Sequence, residues 1–281
     1  MKRRHYEANA SEYQTPLRDI PGIGHEPTAK RVYDLDMWSF YFLENIIENY
    51  EKRAGQNETL TQNGVVLAAA RLSLADLKVL SDKSDDEPMV LIAVSSFRDN
   101  QSHPIPEGWW DPESKELVVL INTAYTPAEL DSLRRVLFRS LQTTLAHEIC
   151  HATDPLLDRP SYAASLGAML EHRYLHDENE VRARVYEIKA RALIYWAEQA
   201  LVKDEPVEDT DEGWERVFSD AQIHRYENKF SDDNWASLKK RVRSYVVENA
   251  DEFIRLIQDV RVKTWGPKVG AGSKRRKGKR R

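Results

Sequence analysis

Three residues in the middle of the chain have types and spacing that could do chemistry together: His147, Glu148 and His151. On a helix of 3.6 residues per turn the two histidines lie about 40° apart, one turn above the other. Imidazoles placed this way suit two tetrahedral positions on Zn²⁺. Glu148 lies about 100° from His147, near enough to take a proton from water at the metal's open position without binding the ion. The chemistry would be hydrolysis by metal-activated water. Such a centre needs a third protein ligand, and His172, His176, Glu178 and Glu180 are the downstream candidates. Glu178 and Glu180 fall about 160° apart on one helix, so they cannot share the role.

A helix must carry the pair. Thr126-Pro127-Ala128-Glu129 is a strong helix start, with threonine as cap, proline at the first helical position and glutamate in the first turn. The helical pattern then runs to Asp154-Pro155, where proline blocks continuation. Phe138, Leu141, Leu145 and Ile149 form an apolar stripe on the side away from the histidines, which gives the helix a core face. Asp154 falls within about 20° of His147 and could orient an imidazole or terminate the helix. Cys150 reads as a small buried hydrophobe.

Around this helix the chain divides into recognisable segments. Residues 1–27 contain Pro16, Pro21, Gly22, Gly24 and Pro27 and read as an irregular lead-in. A helix is predicted from a Thr28 cap to Gly55, with Val32, Leu35, Phe42, Ile46 and Tyr50 at helical spacing. Residues 64–80 begin as a strand and then become ambiguous. Met89 to Phe97 and Glu116 to Asn122 are short apolar runs, hence strands, with Trp109-Trp110 between them read as core or hairpin packing. Most of 160–200 and 212–264 is helix-like, broken near Asp204–Pro206 and Phe230–Asp233. The expected fold class is α+β: a small mixed sheet, a long active-site helix and a mainly helical remainder. The expected divisions are a lead-in at 1–27, a catalytic domain at 28–203, a helical region at 204–264 and a disordered basic tail at 265–281.

The run His147-Glu-Ile-Cys-His-Ala-Thr-Asp-Pro155, followed by Tyr174-Leu-His-Asp-Glu-Asn-Glu-Val-Arg-Ala-Arg184, resembles the Glu-zincins found among bacterial and phage metallopeptidases. The resemblance covers roughly residues 88–200 and is carried by these two short motifs. It implies a zincin-like fold, peptide-bond hydrolysis with Glu148 as general base, and Zn²⁺ on His147, His151 and Glu180. It also implies that Glu116–Asn122 is the sheet edge beside the active-site helix, where an extended protein or peptide substrate adds as a strand. The metzincin extension is absent, because Asp154 and Leu157 stand where glycine and histidine would be required. A SprT-like arrangement, which couples such a site to DNA, would need His172 as ligand. Against the Glu180 assignment stands a simpler reading: Glu180, Arg184, Glu187 and Arg191 share one stripe and would also suit surface i,i+4 ion pairs.

Composition bounds the alternatives. The chain has 281 residues, 41% hydrophobic and 31% charged, so it can bury a core. One cysteine excludes a disulfide framework and a Cys-rich zinc site. There is no apolar run long enough to span a bilayer and no apolar segment behind the basic start, so a soluble, cytoplasmic protein is expected, with no membrane partner. Seven of the last eight residues, Lys274 to Arg281, are basic, leaving 34 basic and 46 acidic residues in the body. That tail could grip nucleic acid or an acidic partner. A nucleic-acid-associated or structural protein working through the tail is therefore the alternative to an enzyme.

Overall fold

The computed structural model describes residues 16–20, 24, 26–55, 66–73, 89–97, 108–111, 116–122, 126–153, 178–202 and 207–265. The architecture is α+β, a small sheet among long helices. Four strands, β1 (Val66–Ser73), β2 (Met89–Phe97), β3 (Gly108–Asp111) and β4 (Glu116–Asn122), form one mixed sheet in the order β1-β2-β4-β3. β1 and β2 are antiparallel, with Arg71 opposite Leu91. β2 and β4 are parallel, with Val94 opposite Val119. β3 returns antiparallel to β4, with Trp109 opposite Val118.

This topology corrects one expectation. Among the described strands β4 is interior, and the edge on its far side from β2 is β3. The apolar run of β4 is that of a strand flanked on both sides: Leu117 to Ile121 are all buried, as near-continuous hydrophobic strands are. Gly-Trp-Trp-Asp is too short to display alternation, so its strand character comes from pairing with β4 rather than from its own pattern.

The helices are α1 (Ala29–Gly55), α2 (Pro127–Ser132), α3 (Arg134–Thr153), α4 (Glu178–Val202), α5 (Asp211–Asp220) and α6 (Asp232–Trp265). α1 starts where the Thr28 hydroxyl accepts the Arg31 N–H at 3.2 Å, and it buries Val32, Leu35, Phe42 and Ile46. At Thr126 the expected cap forms a complete capping box. Its hydroxyl accepts the Glu129 N–H at 3.3 Å, and Glu129 Oε2 accepts the Thr126 N–H at 2.7 Å. The helix expected to run unbroken from there is interrupted at Leu133, which separates α2 from α3.

α3 lies between the sheet and α1 and α4. Leu141, Leu145 and Ile149 have no exposed surface, each worth roughly 1.5–3 kcal/mol on burial. Phe138 packs at the margin. Within the lead-in, Leu17 and Ile20 are buried around a 3₁₀ turn at Leu17–Asp19, and the Leu17 N–H donates to Asn234 Oδ1 of α6 at 3.0 Å. The region expected to be helical after 212 contains a second 3₁₀ helix, Ile223–Lys229, between α5 and α6. Trp214 of α5 stacks on Trp196 of α4 at 4.8 Å between ring centroids, and one continuous core runs from Leu17 to Phe253. Among the described residues no helix is long and apolar enough to cross a membrane.

Candidate metal centre

The last two turns of α3 carry His147 and His151, and the first turn of α4 carries Glu180, 4% exposed. α4 packs on α3, so its first turn stands opposite the histidines. His147 Nε2 is 3.1 Å from Glu180 Oε2, and His151 Nε2 is 3.0 Å from Glu180 Oε1. The two Nε2 atoms are 3.3 Å apart. Two imidazole nitrogens and the two oxygens of one carboxylate thus converge from two helices, in a buried group that could hold a metal ion. Glu178, by contrast, is exposed at the start of α4. His172, His176 and Asp154 lie outside the described residues, as does the basic tail at 274–281.

The stripe of alternating charge on α4 does not face solvent. Glu180 and Glu187 are both buried, Glu187 at 3% exposure. Seven residues bring a helix back to within about 20° of the same face, so Glu187 points at the same histidine two turns along. Its Oε2 is 3.5 Å from His147 Nδ1. His147 is therefore held at both ring nitrogens, which fixes its rotation and leaves Nε2 directed at the cluster. Glu187 is thus an orienting carboxylate on His147, a role for which Asp154, outside the described residues, is also a candidate from its spacing.

Glu187 is itself anchored. Tyr226 donates its hydroxyl to Glu187 Oε1, Arg225 donates at 3.2 Å and Arg191 Nη1 lies 3.8 Å away. Arg191 further donates to Thr143 Oγ1 at 2.9 Å and to the Ala221 carbonyl at 2.9 and 3.1 Å. Tyr226 and Arg225 arrive on the second 3₁₀ helix. The chain enters that helix through Gln222, the one described non-glycine residue with a left-handed φ, 56°.

Charges in the cluster oppose one another usefully. Burial disfavours a charged His147, but the Glu180 and Glu187 carboxylates outweigh it and push the imidazole up to about 10. Burial likewise disfavours ionised Glu180 and Glu187, but His147 and His151 at Glu180, and His147, Arg191 and Tyr226 at Glu187, outweigh it and hold both carboxyls below their ordinary range. Glu148 differs. Burial, aided by Glu180, pushes it up against the pull of both histidines and of a hydrogen bond from the Trp110 backbone N–H. It is 7% exposed and belongs to the lining of an open cleft of about 360 Å³ that also includes Gly108, His147, Arg184 and Arg225.

The edge strand sets the floor of this cleft. A Cβ added at Gly108 would lie 2.5 Å from Thr144 Cγ2, 3.0 Å from the Val118 carbonyl oxygen and 3.3 Å from Glu148 Cγ. The absent side chain is what lets α3 lie directly against β3. Cys150 is buried beside the ligand pair, and Trp109 is exposed on the outer strand.

No family model, no curated protein and no solved structure matches the chain.

Proposed function

We propose that the chain is a zinc-dependent peptidase of the Glu-zincin type, with His147, His151 and Glu180 as ligands and Glu148 as general base. The observation that carries this reading is the convergence of two imidazoles and one carboxylate, with Glu148 beside them in the same cleft. A tetrahedral Zn²⁺ with ligand bonds of about 2.0–2.1 Å needs its donors roughly 3.3–3.4 Å apart. Here the two Nε2 atoms are 3.3 Å apart and each lies 3.0–3.1 Å from a different oxygen of Glu180, so the imidazole pair already has that spacing and a small shift of the carboxylate would bring one oxygen to the third position. One carboxylate and two nitrogens are also the donor set of His₂Glu hydrolytic zinc.

Bound there, Zn²⁺ supplies a Lewis acid for the scissile carbonyl and acidifies a water. The remaining work falls to the chain. Glu148 takes the water proton and returns it to the leaving amine, and its raised carboxyl is nearer in basicity to that task than an ordinary glutamate. The Trp110 N–H holds the Glu148 carboxylate in place. Arg184 and Arg225 line the cleft and favour the negative charge that develops on the carbonyl oxygen. β3 pairs on one side with β4, and an extended peptide added along its other side would run past Glu148.

The test is Glu148→Gln. Hydrolysis of an unfolded protein falls by about 10²–10⁴, the usual share of a general base, while zinc content stays at that of the wild type. A wild-type protein that binds no zinc ends the enzyme reading.

A further inference from the structure

Beside the metal cleft lies a second cavity of about 260 Å³, and it is lined by four arginines: Arg135 and Arg139 of α3, Arg191 of α4 and Arg225 of the 3₁₀ helix. The two cavities share Thr143, Thr144 and Arg225 as walls, so they are contiguous. Among the described residues no carboxylate lines the second one. Three of the four cations are matched from outside it, Arg139 by Glu198 at 3.0 Å and Arg225 and Arg191 by one shared carboxylate, Glu187, at 3.2 and 3.8 Å. Arg191 spends its donors on Thr143 and the Ala221 carbonyl, and Arg135 is exposed with no ion-pair partner among the described residues. Positive charge is therefore in surplus here, on a body that is otherwise acidic.

We infer that this arginine-lined cavity is a substrate subsite, which receives an acidic side chain of the peptide whose backbone lies in the metal cleft. The inference rests on the peptidase reading and adds a preference to it. Guanidinium groups bind carboxylates through paired, charge-assisted hydrogen bonds, and a partly enclosed wall strengthens them. The spacing fits a neighbour of the scissile bond rather than the residue at it. Arg139 is eight residues before His147, about 12 Å along the helix at 1.5 Å per residue. An extended peptide covers that in about three to four residues, and the reach of a glutamate side chain shortens it to about two to four. Single-stranded nucleic acid would also answer to positive charge, but among the described residues no aromatic ring lines the cavity to give the stacking surface such strands use.

The experiment uses the full chain carrying Glu148→Gln, so that binding is read without cleavage. Ten-residue peptides with a single glutamate stepped through each position are titrated calorimetrically against the same peptides with glutamine there. At one or two positions the glutamate peptide binds about tenfold or more tighter, the size expected of a charge-assisted bond. That ratio falls toward one when Arg135→Gln and Arg139→Gln are added, because the two arginines left in the wall, Arg191 and Arg225, are already tied to Glu187. Arg135→Glu alone, at an exposed position, reduces the ratio as well and guards against a double variant that fails to fold. Equal binding of the glutamate and glutamine peptides overturns the inference. So does a preference that survives both arginine changes, and so does oligothymidine binding that the arginine changes abolish while no peptide preference exists. Wild-type cleavage of the same peptides separates the two levels. A preference in binding with no cleavage sinks the peptidase reading and leaves the subsite, whereas cleavage with no preference does the reverse.

Discussion

His147 is the residue on which the site turns, because it is contacted at Nε2 by Glu180 and at Nδ1 by Glu187. Neutralising the second contact should loosen the centre without emptying it. Glu187→Gln keeps the shape and the Tyr226 bond but weakens the pull on Nδ1, and such partners typically contribute about 10–100-fold in metal affinity. Competition against a chelating dye reads this directly, and an unchanged affinity would remove Glu187 from the site. The pH dependence follows from the raised imidazole. Metal needs the neutral ring, so with His147 at about 10 the apparent affinity rises about tenfold per pH unit from 7 to 9, and binding releases about one proton near neutrality. Calorimetry in buffers of different ionisation enthalpy counts that proton. For the metal-free fold the sign runs the other way. The folded value of His147 exceeds its ordinary 6.5, so its stabilisation is full below 6.5 and is lost as pH rises toward about 10. Glu180 is depressed, so its contribution is present above its ordinary 4.5 and is lost as pH falls below it.

At the scale of elements, the contact between α3 and β3 sets where Glu148 stands. A valine at Gly108 would meet Thr144, whose branched side chain has little freedom to yield, the Val118 carbonyl and Glu148 itself. Gly108→Val should therefore cost about 1–3 kcal/mol in thermal unfolding, as overpacking does, and should lower hydrolysis by more than the folded fraction explains. Activity that tracks the folded fraction alone would show that the contact only packs. The same contact shows what a sequence discloses. Met89–Phe97 and Glu116–Asn122 were readable because a buried strand of useful length is an uninterrupted apolar run, and the Thr126 helix start because capping chemistry is local. β3 was not, since Gly-Trp-Trp-Asp becomes a strand only through its neighbour. The break at Leu133 was hidden for a related reason: the apolar spacing continues through it, and the Leu137 N–H still bonds the Leu133 carbonyl at 2.9 Å.

Across the whole molecule, the cluster forms because α3 and α4 are packed side by side within one core that extends to α6. The pair His147 and His151 was legible from spacing alone. Glu180 was one of several candidates, since the carboxylate meets the histidines through tertiary packing that sequence distance does not encode. Glu187 was visible only as part of a charged stripe, because spacing says which residues share a face and not whether that face looks inward. A metal joining α3 to α4 should act as a staple for the core. At a thousand times its dissociation constant a ligand of the folded state adds about 4 kcal/mol, and by the pH argument above the zinc-induced rise in melting temperature grows between pH 6.5 and 9. A melting temperature that zinc leaves unmoved across that range would separate the cluster from metal binding altogether. The most direct measurement is zinc per chain after dialysis at pH 8, for the wild type and for Glu180→Ala. One zinc per wild-type chain and about a tenth or less in the variant is the expected pair, since three protein ligands define the site; a wild type without zinc, or a variant that keeps it in full, contradicts the centre described above.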